Sequence, residues 1–391
     1  MKIVDVCAFY TPNGGGVKTY IDRKLKIGAA LGQDIVIIAP SARNRVEYHP
    51  EGGRIIHIAS PQLIVDRRYR YFEGAEAVHR ILDAEQPDMV EASSPWRTAN
   101  IVASWAGDAP RTLIMHADPL ASYAYRWFGK ISSRKAIDRS FDLFWQHLRR
   151  MGARFDSVIS ANENLSTRLR AGGVKGVRTI PMGVDPGIFS PNHRNPSIRQ
   201  ELLARCGLGE DATLLLGVGR HSAEKRWQLV INACVAAGQN SPVGLVLIGD
   251  GRDRAKLVRH IGHNPHVHFL APISNRTVLA EVMASADALI HGCESETFGL
   301  VAAEAAASGL PLIVPDEGGA SDLVSPGRGE TYSAGDVTSA VAAIERLLAR
   351  DSEMLMAETR AFAASALTID AHFKALFEAY QQICGASRWA A

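Results

Sequence analysis

Four short clusters in the second half of the chain carry residues able to grip an anionic ligand. The first is Gly217-Val218-Gly219-Arg220 with Glu224-Lys225 close behind. An apolar run ends at Val218, a glycine turn comes next, and two cations stand five residues apart. Arg can fork two diphosphate oxygens while Lys acts as a point charge, although a solvated surface loop would read the same way. The second cluster is Ile248-Gly249-Asp250-Gly251. Its glycines permit a tight turn and the close approach of a ligand, and a plain turn explains them equally well. The third, Glu296-Thr297-Phe298-Gly299-Leu300, leads into a helix bearing Glu304. A helix starting near Phe298 would leave the amides of Phe298, Gly299 and Leu300 as donors at its positive end, ready for phosphate. Glu296 then stands just before that end, and Glu304 lies about 12 Å away if the rise is helical throughout. One carboxylate would meet a sugar, the other a ribose across the diphosphate. The plainer reading is a capping acid and an ordinary helix glutamate, yet Glu304 sits in an apolar run where a buried carboxylate needs a partner. The fourth cluster is the glycine-rich turn Gly318-Gly319-Ala320-Ser321-Asp322.

The elements that must position these clusters are set by the alternation of short apolar runs with helical patterns, which argues for parallel sheets wrapped by helices. Strands are expected at 3–9, 34–39, 54–58, 88–90, 112–116 and 157–160, with helices at 17–31, 71–83 and 99–106. A long helical segment, 120–155, interrupts the rhythm. Around 181–200 the periodicity lapses into Pro, Gly and Asn, the best linker. Beyond it strands are expected at 213–218, 244–248, 267–270, 288–291 and 311–314, and helices at 227–237, 252–261, 276–286 and 298–308. The fold class is therefore α/β, with two Rossmann-like doubly wound domains facing across a cleft and the ligand at the C-terminal ends of the strands. The domains are expected at 1–182 and 183–368, with a terminal helix in 369–391 packing back on the first.

A chain of 391 residues, 47% hydrophobic and 21% charged, fits two such domains. A net charge of +2 gives no overall pull toward nucleic acid. Five cysteines, scattered and without a Cys-x-x-Cys pair, indicate neither a zinc site nor a disulfide framework. No apolar run approaches the ~18 residues that span a bilayer, and the N-terminus lacks a signal-peptide core. The expected location is the cytoplasm, in part at the inner face of the membrane. The second expectation rests on 121–155, where eight Lys or Arg face two acids, Asp138 and Asp142. There Ile137, Phe141, Phe144, Trp145 and Leu148 share a helical stripe suited to an anionic membrane surface, or equally to packing on the first domain.

Taken in order, Gly219-Arg220…Glu224-Lys225, Ile248-Gly249-Asp250-Gly251, Glu296-x-Phe298-Gly299-x4-Glu304 and Gly318-Gly319 resemble glycosyltransferase family 4, retaining and metal-independent enzymes of GT-B fold. Three N-terminal segments agree. Pro12-Asn13-Gly14-Gly15-Gly16-Val17 is similar to the family's first loop, and His116-Ala117-Asp118 to its active-site histidine segment. Pro181-Met182-Gly183-Val184-Asp185 is similar to its interdomain crossover. By that resemblance Arg220 and Lys225 hold the donor diphosphate, Glu296 the transferred sugar and Glu304 the ribose. His116 would lie beside the sugar, and Gly15 and Gly16 would admit donor and acceptor. Gly249 and Ile273, the latter in the segment framing the base, complete the set. Arg226, Met182 and Ala271 depart from residues frequent in the family.

The resemblance implies transfer of a hexosyl group from a UDP- or GDP-sugar, with retention, to a glycan or lipid-linked acceptor. The nucleotide sugar is a co-substrate and no cofactor is expected. No Asp-x-Asp pair occurs, in keeping with metal independence. Charge on the leaving diphosphate would be met by Arg220, Lys225 and the helix end. A GT-B epimerase or phosphorylase, or a non-catalytic sugar-nucleotide-binding protein, is the alternative, because fold does not fix function. A Rossmann dehydrogenase is disfavoured, since no Gly-x-Gly-x-x-Gly succeeds the first strand.

Overall fold

The computed structural model describes the backbone of residues 1–11, 16–64, 69–116 and 140–390, and side chains as far as residue 386. The expected site residue Gly15, and most of the basic segment 121–155, lie outside the described residues. The described chain divides into two compact units, one of 1–116, 140–181 and 369–390, the other of 182–368.

In the first unit the elements run β1 Lys2–Val6, α1 Gly16–Ala30, β2 Asp34–Ser41, β3 Arg45–Tyr48, β4 Arg54–Ala59, α2 Glu76–Glu85, β5 Met89–Ala92, α3 Arg97–Ser104, β6 Arg111–Met115, α4 Asp142–Gly152, β7 Ser157–Ser160, α5 Glu163–Ala171 and β8 Val177–Thr179. The sheet order is β3-β4-β2-β1-β5-β6-β7-β8, parallel except for the hairpin β3–β4. Central strands are covered on both faces, so β2 is buried from Ile35 to Pro40 and reads as a continuous apolar run. The edge strand β3 is exposed throughout and carries Arg45 and Glu47, which blunts the edge.

The second unit contains α6 Pro196–Arg205, β9 Thr213–Val218, α7 Trp227–Ala237, β10 Val243–Ile248, α8 Arg254–Ile261, β11 Val267–Leu270, α9 Arg276–Ser285, β12 Ala288–Ile290, α10 Leu300–Ala307, β13 Leu312–Pro315, β14 Gly329–Tyr332, α11 Val337–Leu348 and α12 Ser352–Ala363. Its all-parallel order, β11-β10-β9-β12-β13-β14, is the doubly wound 3-2-1-4-5-6. The chain reverses its winding between β9 and β12, and loops leaving those two strands diverge to open a crevice at their C-terminal ends. The last helix, α13 Ile369–Ala390, belongs to the first unit and buries Phe373, Leu376, Phe377 and Tyr380 there.

Several expected boundaries shift. The first strand stops at Val6 rather than residue 9, and the helix expected from 71 begins at Glu76. The irregular stretch 181–200 already contains the start of α6. There Asn195 caps and Pro196 occupies the first turn, where its missing N–H costs nothing. The helix expected from Phe298 begins two residues later, because Gly299 turns left-handed (φ 78°) as its N-cap. Phe298 therefore stands outside the helix, and the 12 Å helical span from Glu296 to Glu304 does not apply. In α4, Trp145 and Leu148 of the expected membrane stripe are buried within the first unit, while Leu143 is 81% exposed.

Candidate active site

The crevice of the second unit is built by the loops that leave β9 and β12. After β9 the chain turns through Gly219 and Arg220, and a short 3-10 turn, Ala223–Lys225, sets Lys225 inward. Trp227 Nε1 donates to the Arg220 carbonyl at 2.8 Å, anchoring this loop to the core beneath it. Gly249, after β10, lies so close that a Cβ there would stand 2.0 Å from the Gly219 carbonyl oxygen. Glycine is required by this contact. Arg220 is the exposed member, its side chain two-thirds accessible with Glu224 3.5 Å away.

After β12, the stretch from His291 to Gly299 brings Glu296 to Lys225, and the two form a short ion pair. Burial alone would lower the Lys225 pKa, but Glu296 and Cys293 lift it above the ordinary lysine value. Burial would raise the Glu296 carboxyl, yet Lys225 and His291 hold it well below the usual carboxylate range. Lys225 therefore stays cationic and Glu296 anionic at neutral pH. His291 Nε2, 3.5 Å from Glu296, and Cys293 form with Glu296 a donor set within 4.8 Å that could take a metal. The cation already on Glu296 is the Lys225 ammonium, and burial pushes the Cys293 thiol up to about 12. The Tyr332 hydroxyl donates to the His291 carbonyl at 2.6 Å and fixes the base of the loop.

Gly299 ends the loop. Its left-handed φ lets α10 start at Leu300, and the first helical bond is Ala303 N–H to the Gly299 carbonyl. The first-turn amides, from Leu300 on, point back along the helix axis, which suits an anion. Gly318 and Gly319 pack on this loop, for a Cβ on Gly319 would meet Phe298 backbone at 2.6 Å. Phe298 is itself buried.

Glu304, one helical turn further into α10, is 6% exposed. It accepts from Arg276 Nη2 at 2.7 Å, and Asp185 stands 3.7 Å from the same guanidinium. Burial raises the Glu304 pKa and Arg276 offsets this only in part. Arg276 also lies over the Phe189 ring, 4.8 Å from its centroid. Ile273 is half-buried in the connection from β11 to α9. The second unit thus brings together Gly219, Arg220, Lys225 and Glu296, with Gly249, Phe298, Gly299 and Leu300 shaping the turns around them. Arg276 is absent from the expected set; the need of buried Glu304 for a cation was the signal for it.

Arg226, in sequence only a departure from a frequent glycine, adopts a left-handed conformation (φ 48°), which explains why glycine suits that position. Its guanidinium forks onto Glu294, itself 4% exposed, with Nε 2.6 Å from Oε2. The cavity of about 580 Å³ lined by Arg194, Arg199, Asp287 and Arg360 opens near the N-terminal ends of β9 and β12, away from these residues.

In the first unit, Gly16 opens α1 and His116 comes directly after β6. Protein atoms crowd the His116 imidazole, and this desolvation pushes its pKa down to about 4, so the ring is neutral. Tyr20 packs edge-on against it, with centroids 5.1 Å apart. Among the described residues no helix is long and apolar enough to cross a membrane.

Residues 199–363 match the family model of glycosyl transferases group 1, and residues 14–187 that of glycosyltransferase family 4. A GDP-mannose-dependent alpha-(1-6)-phosphatidylinositol dimannoside mannosyltransferase of Mycobacterium tuberculosis is 28% identical over 84% of this chain and 83% of its own. In fold, the chain is similar to sucrose-phosphate synthase from Thermosynechococcus elongatus, with a TM-score of 0.74 at 20% identity covering 98% and 99% of the two chains. It is similar also to HepE of Anabaena in complex with UDP and glucose, with a TM-score of 0.69 at 18% identity covering 98% and 100%. Two doubly wound units with a cationic crevice at a strand switch point, and two family models that between them span most of the sequence, place this chain in glycosyltransferase family 4.

Proposed function

We propose that this glycosyltransferase moves mannose from GDP-mannose, with retention at the anomeric carbon, to a lipid-linked or glycan acceptor. The observation that carries the reading is the half-buried Lys225–Glu296 pair at the strand switch point, with Arg220 and the start of α10 on either side of it. The donor assignment draws on relatives at 27–28% identity that are named as GDP-mannose-dependent mannosyltransferases.

In this reading the diphosphate lies over the Gly219 turn and the first turn of α10. Negative charge grows on it as the glycosidic bond to the sugar breaks. Arg220, Lys225 and the α10 amides are fixed donors for that charge and need no reorganisation when it appears. No metal is then required. Glu296 meets the transferred sugar, Glu304 the ribose, and the neutral imidazole of His116 a sugar hydroxyl. The acceptor's proton leaves to the departing phosphate oxygen. An acceptor at a membrane surface fits the exposed Leu143 of α4 and the exposed Trp96, whose ring stacks on His147 of the same helix. Pelleting with anionic but not neutral vesicles would support that part, and equal pelleting would remove its electrostatic basis.

The deciding test is thermal stabilisation by GDP, UDP and their sugars, run on the parent, Lys225→Ala and Glu304→Ala. A ligand at 100 times its Kd adds ~2.7 kcal/mol to the native state. GDP is expected to stabilise the parent, and both variants much less. Stabilisation by UDP alone would overturn the donor assignment. No shift with any nucleotide would overturn the site.

A further inference from the structure

Behind His116 lies a fully buried polar chain that the donor chemistry does not use. Asp5 and Glu91 are register partners on the neighbouring strands β1 and β5, and both are 0% exposed. Lys24 of α1, also 0% exposed, donates to Asp5 Oδ2 at 2.9 Å and to both Glu91 oxygens at 2.6 Å. One cation thus answers two carboxylates, with the Tyr380 ring of α13 beside Glu91. The other oxygen of Asp5, Oδ1, accepts from the Ser93 hydroxyl at 2.7 Å. Ser93 Oγ in turn stands 3.4 Å from His116 Nε2. The Cys7 thiol, kept protonated by burial, also lies against Ser93.

A serine hydroxyl has one hydrogen, and here Asp5 takes it. Toward His116, Ser93 has only lone pairs to offer, so the hydrogen between them must come from Nε2. The geometry points to Asp5 and Ser93 as positioning residues that hold His116 as its Nε2–H tautomer, with Nδ1 the acceptor atom of the ring. Lys24 holds the other Asp5 oxygen, Oδ2, and so fixes the carboxylate whose Oδ1 accepts from Ser93. Asp5 of β1 and Ser93, directly after β5, are therefore engaged in setting one imidazole. The mechanistic value of this control rests on the reading that His116 serves the transferred sugar, but the tautomer itself does not.

The ¹⁵N spectrum of the full chain, with His116 assigned by difference from His116→Gln, decides the tautomer. A protonated Nε2 and an unprotonated Nδ1 are expected in the parent; an Nδ1–H ring overturns the proposal without any further variant. Ser93→Ala should give a mixed tautomer signature and lower kcat for GDP release from GDP-mannose about tenfold, the worth of one lost hydrogen bond, while stabilisation by GDP is unchanged. Ser93→Thr should restore both. An unchanged tautomer or unchanged kcat in Ser93→Ala would overturn the positioning role. A parent that releases no GDP would instead sink the donor assignment, and the spectrum would still decide this proposal.

Discussion

Arg226→Gly sets two effects of opposite sign against each other. Relief of the left-handed backbone at φ 48° is worth ~1–2 kcal/mol to a residue without a Cβ. The same change removes the guanidinium that forks onto Glu294, leaving a carboxylate 4% exposed without its cation. Breaking a buried pair from one side costs ~3–5 kcal/mol. The Arg226 side chain is 20% exposed, so water can reach the vacated space and the low end, ~3 kcal/mol, applies. The pair outweighs the strain by ~1–2 kcal/mol, that low end less the strain. For a unit of this size that is a fall in Tm of ~2–8 °C. Calorimetry on the parent, Arg226→Gly, Glu294→Gln and the double variant is the assay. The double variant should recover about 1 kcal/mol relative to the sum of the singles, because no charge is left stranded. If Arg226→Gly melts with the parent or above it, backbone strain dominates, and the reasoning about the ion pair is wrong.

The geometry implies three further outcomes. Gly249→Ala pushes a methyl to within 2.0 Å of the Gly219 carbonyl, so the two ligand turns must separate; a loss of ~2 kcal/mol or more is expected in denaturant melts, with GDP stabilisation abolished. Arg276→Ala removes the group that offsets the raised pKa of Glu304, so the carboxyl protonates more readily. GDP affinity by calorimetry should then fall, more so as pH is lowered, and recover as pH is raised; a pH-independent loss would show that Arg276 acts otherwise. Burial pushes His372 down to about 4, while its ring nitrogens bond the Pro181 carbonyl and the Tyr20 hydroxyl. Its folded pKa lies below the unfolded one, so its contribution is complete above pH ~6.5 and is lost as pH falls toward 4. From pH 6.5 to 4.5 that loss is ~2.2 kcal/mol, and His372→Gln should flatten the corresponding part of the stability profile.

The double winding is legible in the sequence because parallel strands buried on both faces must be continuous apolar runs, as in β2 and β10. Strands that escape this rule escape reading: β3 is an exposed charged edge, β8 has three residues, and β14 places Glu330 and Thr331 among its four. The clusters at the site are readable one by one, since each glycine turn abuts a strand. The links between them are not. Arg276 and Glu304 are 28 positions apart, Lys225 and Glu296 are 71, and only strand order brings such pairs together. The left-handed Gly299 moves the helix start by two residues, which no periodicity records. Asp5 is the reverse case. A charge inside a strand that is otherwise covered on both faces signals a buried partner, but the sequence does not say that Lys24 answers it.

The two glutamates of the crevice are held in opposite ways, and that contrast bears on how the site receives an anion. Glu296 is kept anionic by Lys225, whereas Glu304 is pushed toward its neutral form by burial and only partly restrained by Arg276. A lysine ammonium has three donors, so Lys225 can keep Glu296 while presenting a hydrogen to a phosphate oxygen. The resting ion pair is therefore no lock that the ligand must break. It does mean that the pair carries no net charge, and attraction for a diphosphate falls to Arg220 and the amides of α10. Arg220, exposed and held loosely by Glu224, is placed to meet the anion first. Lys225, half-buried and held by Glu296, is placed to meet the charge that develops later, where a preorganised donor is worth most.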